Sequence, residues 1–465
     1  MIPVRNRGRY WSVVVAAVTL LAMLGTANPS PGAGAKARRR SPGARPNILV
    51  VMTDDQRFDT MDVMLQTRRW MTRKATVFEQ AFATTPQCCP SRASVLTGRY
   101  AHNHMVLRNS DGPLLDHSTT IQRYLQDAGY KTAMLGKLLN AWNVKSSPQY
   151  WDKWAVLAPI SGKANGYYDS PFNVNGRVRT VESYSTDFIS HKAHRFLDSF
   201  ESQDSAPWFI YVTPFAPHGP PLPASRHEEA AVAPWTSNPA VEESDVTDKP
   251  HWVQRAVPDP ERLTQLALNQ RRTLLAVDEM FSDLRKKMRK LGELDNTLIF
   301  FLSDNGFMWG EHGITGKKSP YERSVRVPFA MSWPERILAG EDDRIVGTID
   351  IAPTILDAAS VTPPFSPPMD GRSLLSGPPR AEILIEFWQA KEVPGWAAIR
   401  SHDFQYNEWH DGQGNPYFLE YYDLASDSWQ LDNVLGDGDP TNDIDTRELS
   451  ARLVEYRNCA GFNCP

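Results

Sequence analysis

Cysteine is scarce in this chain, with four residues, Cys88, Cys89, Cys459 and Cys464, among 465. Its core must therefore come from apolar packing, and 41% hydrophobic residues are enough to build a large one. A basic surplus is also missing. The formal net charge is -4, which argues against a nucleic-acid binder. Heptads and short internal repeats are not evident, so coiled-coil and solenoid architectures are set aside. Beyond the N-terminal region no stretch is long and apolar enough to cross a membrane. Tryptophan (14) and proline (36) are plentiful, and frequent proline points to long ordered loops rather than a helical bundle.

Near the N-terminus Arg5, Arg7 and Arg9 precede an apolar run from Trp11 to Leu24, followed by Gly25-Thr26-Ala27-Asn28-Pro29. A positive end, an apolar middle and a small-residue exit form the pattern of a secretory signal. The run is short for a spanning helix, and an uncleaved anchor is the alternative. The expected location is outside the cell or in its envelope, with the membrane met only through such an anchor. Ser30 to Arg45 is rich in Gly, Ala, Pro and Arg and reads as a flexible linker. In an oxidising compartment the close pair Cys459 and Cys464 is expected to close a small disulfide loop. Two free thiols at a frayed tail are the alternative.

Four apolar runs read as strands buried on both faces: Asn47 to Met52, Lys131 to Leu135, Trp208 to Thr213 and Leu298 to Leu302. Helical patterns lie between them. One is capped by Ser118 or Thr119 and runs through Ile121, Leu125 and Ala128 to Gly129. A longer one covers about Arg262 to Leu291, with Gly292 as its stop. The alternation predicts an α/β fold: a large mixed, mostly parallel sheet sandwiched by helices. After about Ser376 short strand-like pieces and a helix near Asp445 to Arg457 suggest a smaller α+β subdomain. The expected organisation is 1–45 signal or anchor plus linker, 46–375 catalytic domain and 376–465 C-terminal subdomain. Each strand ends in polar residues, Asp54 and Asp55, Lys137, His218, or Asp304 and Asn305. In α/β sheets ligands bind beyond the carboxyl ends of strands, so these residues are expected to meet in one crevice.

The sharpest motif is Cys88-Cys89-Pro90-Ser91-Arg92-Ala93-Ser94-Val95-Leu96-Thr97-Gly98-Arg99. Pro90 suits a helix start and Gly98 a helix stop, which puts Cys88 at a helix N-terminus, a place that favours anions. The motif resembles the sulfatase signature, Cys-x-Pro-Ser-Arg followed by Thr-Gly-Arg. That resemblance implies that Cys88 is oxidised to formylglycine (3-oxoalanine) by a separate formylglycine-generating enzyme. A hydrated aldehyde offers two hydroxyls on one carbon. One attacks sulfur, and loss of the other's proton lets the carbon expel sulfate. The same resemblance implies that Asp54, Asp55, Asp304 and Asn305 hold a divalent cation next to the Cys88 group. Hard oxygen donors suit Ca²⁺, with Mg²⁺ as the alternative.

It further implies that Arg92, Lys137, Lys317 and His218 face the sulfate. The cations would stabilise developing charge, and the histidine would help protonate the leaving oxygen. Lys318 competes with Lys317 for its role; spacing to Tyr321-Glu322 favours Lys317. Many sulfatases carry a histidine shortly after Gly-Lys, where this chain has Asn140, and an amide cannot take a proton as imidazole can. That variation resembles the branch of N-acetylglucosamine-6-sulfatases and heparan endosulfatases. So do Arg99-Tyr100-Ala101-His102-Asn103-His104 and the Cys-x4-Cys chain end. His102 or His104 could serve near the site or have surface roles. Between Pro220 and Pro258 no motif is recognisable, and this insert is a candidate for the substrate rim. The expected activity is hydrolysis of a sulfate monoester on a small molecule or glycan. A phosphate or phosphonate ester hydrolase of the same superfamily is the nearest rival. A secreted, catalytically inactive glycan-binding protein is the rival of a different class.

Overall fold

The computed structural model describes residues 45–158, 165–256, 259–334, 336–362 and 365–465, all within one compact unit. Of the signal or anchor plus linker expected over 1–45, all but Arg45 lies outside the described residues. The four apolar runs form the centre of a ten-stranded sheet. Asn47–Thr53 lies between Trp208–Thr213 and Thr297–Ser303 and runs parallel to both. Lys131–Gly136 adds a fourth parallel strand beyond Trp208–Thr213. Outer strands make the sheet mixed: Phe329–Ser332 is antiparallel to Thr297–Ser303.

Successive side chains of a strand point to opposite faces. Ile48, Val50 and Met52 thus enter one core, and Leu49 and Val51 the other. A strand that is apolar on both faces requires a helical layer on each side. On one side these are Cys88–Thr97, Ile121–Asp127 and Ile351–Ala358, through Val95, Leu96, Leu125 and Ile355. On the other, Ser185–Glu201 and Pro260–Leu291 contribute Ile189, Phe196, Leu274, Val277 and Phe281.

The long helix begins two residues earlier than its apolar period indicates. Pro260 takes the first helical position, and the Asp259 carboxylate accepts the Arg262 N–H. Gly292, at φ +83°, ends it as expected. The earlier helix starts at Ile121, after Ser118 and Thr119. Those residues form a separate 3₁₀ turn because Asp116 captures the Ser118 N–H. Downstream, Glu382–Phe387, Gly395–Ser401, Phe404–His410 and Pro416–Asp423 form an antiparallel sheet in chain order. The helix Arg447–Tyr456 and the disulfide Cys459–Cys464 complete this smaller α+β part. Among the described residues no helix is long and apolar enough to cross a membrane.

One glycine permits the strand spacing at the site. Gly136 has φ +99°, and a Cβ there would come within 2.0 Å of the Thr213 carbonyl oxygen. Gly136→Ala is expected to cost about 2–4 kcal/mol in chemical denaturation, because backbone must move. Gly129 is the control, with φ +84° but open space around its Cβ. Its alanine variant is expected to cost about 1 kcal/mol. Equal losses would show that backbone conformation, not crowding, explains Gly136.

Candidate active site

The backbone ladder continues past the strand ends and carries the polar residues with it. Asp304 N–H donates to Thr53 O (3.1 Å), Lys137 N–H to Thr213 O (2.9 Å) and Asp54 N–H to Ala216 O (3.3 Å). Asp55 turns back in the left-handed region (φ 69°), and its N–H donates to Asp304 Oδ1 at 3.1 Å. The helix Cys88–Thr97 is buried along its whole length and stops at Gly98, φ 68°. It presents Cys88 at its first turn and Arg92 one turn later.

All nine residues expected at the site meet. Cys88 Sγ lies 3.4 Å from Asp54 Oδ1 and 3.9 Å from Asp55 Oδ1. Lys317 Nζ is 2.8 Å from that sulfur and also bonds Asp55. Lys137 Nζ donates to Asp54 (2.6 Å), and Arg92 Nε to Asp304 (2.8 Å). Arg92 Nη2 stands 3.5 Å from Asp54. Asn305 Nδ2 donates to Asp55 Oδ1 (2.7 Å). His218 Nε2 is 3.7 Å from Asp55 Oδ2, while its Nδ1 is fixed on Gly219 O at 2.7 Å. Asp54, Asp55, Cys88 and His218 could each offer a ligand atom to one cation.

Three carboxylates face three cations here, and the balance decides each charge. Burial would raise Asp54, but Lys137, His218, Arg92 and Lys317 hold it well below the usual carboxylate range. Asp304 goes the other way, pushed up to about 6 by burial and then by Asp54. Burial, and Asp54 after it, pushes the Cys88 thiol up to about 12, against Lys137 and Lys317. The thiol is therefore neutral at pH 7 and a poor nucleophile as it stands. Asn305 Oδ1 is buried with no hydrogen-bond partner. A bound cation would satisfy that oxygen and relieve the repulsion felt by Asp304, so the donor set fits one.

Of the two adjacent lysines, Lys317 is the one whose ammonium reaches Asp55 and Cys88. Neither alternative histidine joins the cluster. His104 is buried against Ser94 Oγ (3.0 Å), and His102 binds Glu386 (2.9 Å) and Cys459 O (3.0 Å). The Arg99–His104 run thus anchors the disulfide-closed chain end. The Asn140 backbone carbonyl lies 3.9 Å from Cys89 Sγ, and the imidazole found in the cluster is that of His218.

Several supporting residues had no local signal. Trp396 Nε1 donates to Lys318 O (2.7 Å), and Gln405 to Pro320 O (2.8 Å). Glu420 accepts from Tyr321 OH (2.8 Å), and Gln430 from Glu322 N–H (2.8 Å). The C-terminal part therefore holds the loop that aims Lys317. Asn109 Oδ1 accepts the Cys89 N–H at 3.0 Å, in the first turn of the helix that begins at Cys88. Trp252, from the Pro220–Pro258 insert, lines the cleft above the cluster.

Comparison with known proteins agrees with this geometry. The family model Sulfatase matches residues 46–361, and the model "N-sulphoglucosamine sulphohydrolase, C-terminal" matches 310–458. The chain belongs to the sulfatase family. It is 35% identical over 352 residues to the extracellular sulfatase SULF-1 homolog of Drosophila melanogaster, covering 71% of this chain and 31% of that one. The human N-acetylglucosamine-6-sulfatase is 28% identical over 90% of this chain and 86% of its own. A solved structure of a protein with its substrate D-glucosamine-2-N,6-O-disulfate superposes with a TM-score of 0.73 at 25% identity, over 89% of this chain and 97% of that one. The matches span only 31% and 48% of the fly and nematode extracellular relatives.

His104 gives a pH test of the packing beneath the site. Burial, with repulsion from Arg99 and His102, pushes it down to about 3 from 6.5. Above the unfolded value the ring is neutral in both states and its contribution to stability is complete. As pH falls through that value toward the folded one, the unfolded chain takes the proton that the folded protein refuses, so stability drops. The denaturation midpoint should fall on acidification to about pH 4, and less steeply in His104→Gln. Identical slopes would assign the acid loss to other groups.

Proposed function

We propose that this chain hydrolyses sulfate monoesters of a sugar, with a nucleophile made from Cys88 and a bound divalent cation. The observation that carries this reading is the convergence of Cys88 with Asp54, Asp55, Asp304 and Asn305 in one buried cluster. The cation, calcium by its oxygen donors with magnesium as the alternative, supplies Lewis-acid polarisation, and oxidation of Cys88 to formylglycine supplies a hydroxyl nucleophile.

The chain's own residues do the rest. Asp54, Asp55, Asp304 and Asn305 hold the cation. Arg92 locks Asp304 and keeps the nucleophile helix in register with the strand end. Lys137 and Lys317 set fixed positive charge against the negative charge that develops on the transferred group. His218, its Nδ1 on Gly219 O, presents Nε2 to the leaving oxygen. Burial, with Lys137 and Lys317, lowers its pKa against Asp54 and Asp55, which makes the protonated ring a ready donor. The names of the human and fly relatives and the disulfate bound in the solved structure support a sulfated sugar as substrate and an exported protein. A formylglycine-generating enzyme is then a required partner during maturation.

Two measurements test this. In protein from its native host the peptide carrying Cys88 should be lighter by about 18 Da, thiol having become aldehyde. Unchanged thiol throughout would leave a glycan-binding protein. Calcium should raise the melting temperature of chelator-stripped protein, and Asn305→Ala should weaken that response about tenfold or more in calcium concentration. Faster turnover of a phosphonate monoester than of a sulfate ester would shift the assignment to phosphorus.

A further inference from the structure

The Cys88 cluster opens into a cleft of about 510 Å³, with Asp55, His218 and Lys317 at its floor. Higher up, the cleft is lined by Trp252, Lys318 and Lys391. Lys317 is engaged by Asp55 and Cys88. The other two ammonium groups form no ion pair or side-chain hydrogen bond among the described residues; Glu392 is the acidic side chain of that rim. Burial, then repulsion from Lys317 and Lys391, lowers the pKa of Lys318.

Both lysines are held by the fold rather than left on free loops. Lys318 has φ +83°, and its carbonyl is pinned by Trp396. Lys391 has φ +57°, in a turn closed by the bridge between Ala390 and Val393. Side-chain-bearing residues persist in this backbone region when their surroundings impose it, and such positions cluster at ligand clamps. Half-buried Trp252, packed on Trp409 at 5.7 Å between ring centroids, adds an indole on which a sugar ring can lie. Two like charges gathered in a concave site are most stable when an anion lies between them.

We propose that Lys318 and Lys391 form a second anion subsite, which holds a further fixed negative group of the sugar whose sulfate ester lies at Cys88. This rests on the sulfatase reading and refines its substrate to a sugar with at least two anionic groups. The added group is a sulfate, a sulfamate or a carboxylate of a neighbouring unit, all bound by the same charge-assisted hydrogen bonds.

Steady-state kinetics of the mature, calcium-loaded protein separate these sources. The substrates are N-acetylglucosamine 6-sulfate, glucosamine 2-N,6-O-disulfate and a disaccharide of 6-sulfated glucosamine with a uronic acid. At least one doubly anionic substrate should exceed the first in kcat/KM by roughly tenfold, through KM. The favoured substrate identifies the group. Lys391→Met and Lys318→Met should each reduce that ratio several-fold, and Lys318→Arg should restore it. Lys391 sits on an exposed turn, so its variant guards against a folding defect at Lys318. Salt should erode the preference, since the screening length falls to about 8 Å at 0.15 M. A wild type without preference, or variants that keep all of it, overturns the subsite and leaves the sulfatase reading intact. Mature wild type that cleaves none of the three overturns both.

Discussion

Asp54, Asp55 and Asp304 are buried together at the ends of two adjacent strands, and that concentration of negative charge is the constraint on which the rest of the molecule depends. Thr53 and Ser303 are direct neighbours in the sheet, so the carboxylates that follow them cannot separate. Like charges in a dry site are tolerated only when cations and hydrogen bonds meet them. Those cations come from three other places: Arg92 from a helix, Lys137 from another strand end, and Lys317 from a distant loop. Bringing them together needs the doubly covered parallel sheet, because its crossovers return every carboxyl end to one edge.

Lys317 lies on no strand or helix that could aim it. Its loop is held from outside by Trp396, Gln405, Glu420 and Gln430, all in the C-terminal part. Glu420 is fully buried yet satisfied, accepting from Tyr321, Tyr422, Asn407 and Trp409. A buried carboxylate with so many donors is rigid, since loss of any one leaves charge unpaired. The C-terminal sheet is thus part of the site without placing a carboxylate or cation inside the cluster. Its hairpin turn also brings Lys391 to the cleft rim.

This division explains what could be read from the sequence. The four central strands announce themselves as short apolar runs, and their polar ends follow directly, so Asp54, Asp55, Lys137, His218, Asp304 and Asn305 were legible. Cys88, Arg92 and the stop at Gly98 were legible because helix chemistry is local. Helix starts were less so: Asp259 and Asp116 cap through side-chain bonds that no apolar period records. The clamp on the Lys317 loop was invisible, because Trp396 and Glu420 reach Lys318 and Tyr321 of that loop from 78 and 99 residues away. The histidines show the same limit. His102 and His104 lie beside the signature in sequence, yet the helix turns them toward Glu386 and Ser94 instead of Cys88.

Burial of Cys88 has two consequences that point the same way. A thiolate here would add a fourth negative charge to a cluster whose cations are already matched, so ionisation is suppressed and sulfur is a weak nucleophile. On the proposed reading a carbon bearing hydroxyls removes that difficulty, because it can attack without an ionised sulfur. A divalent cation then gives the cluster the positive excess that an anionic ester needs. The second consequence concerns timing. Cys88 has no exposed surface, and every residue of its helix is packed. An enzyme that oxidises this side chain cannot reach it in the folded protein. On the proposed reading the conversion would then come before the sheet edge closes, with strands, helix and Lys317 loop assembling around a side chain already oxidised.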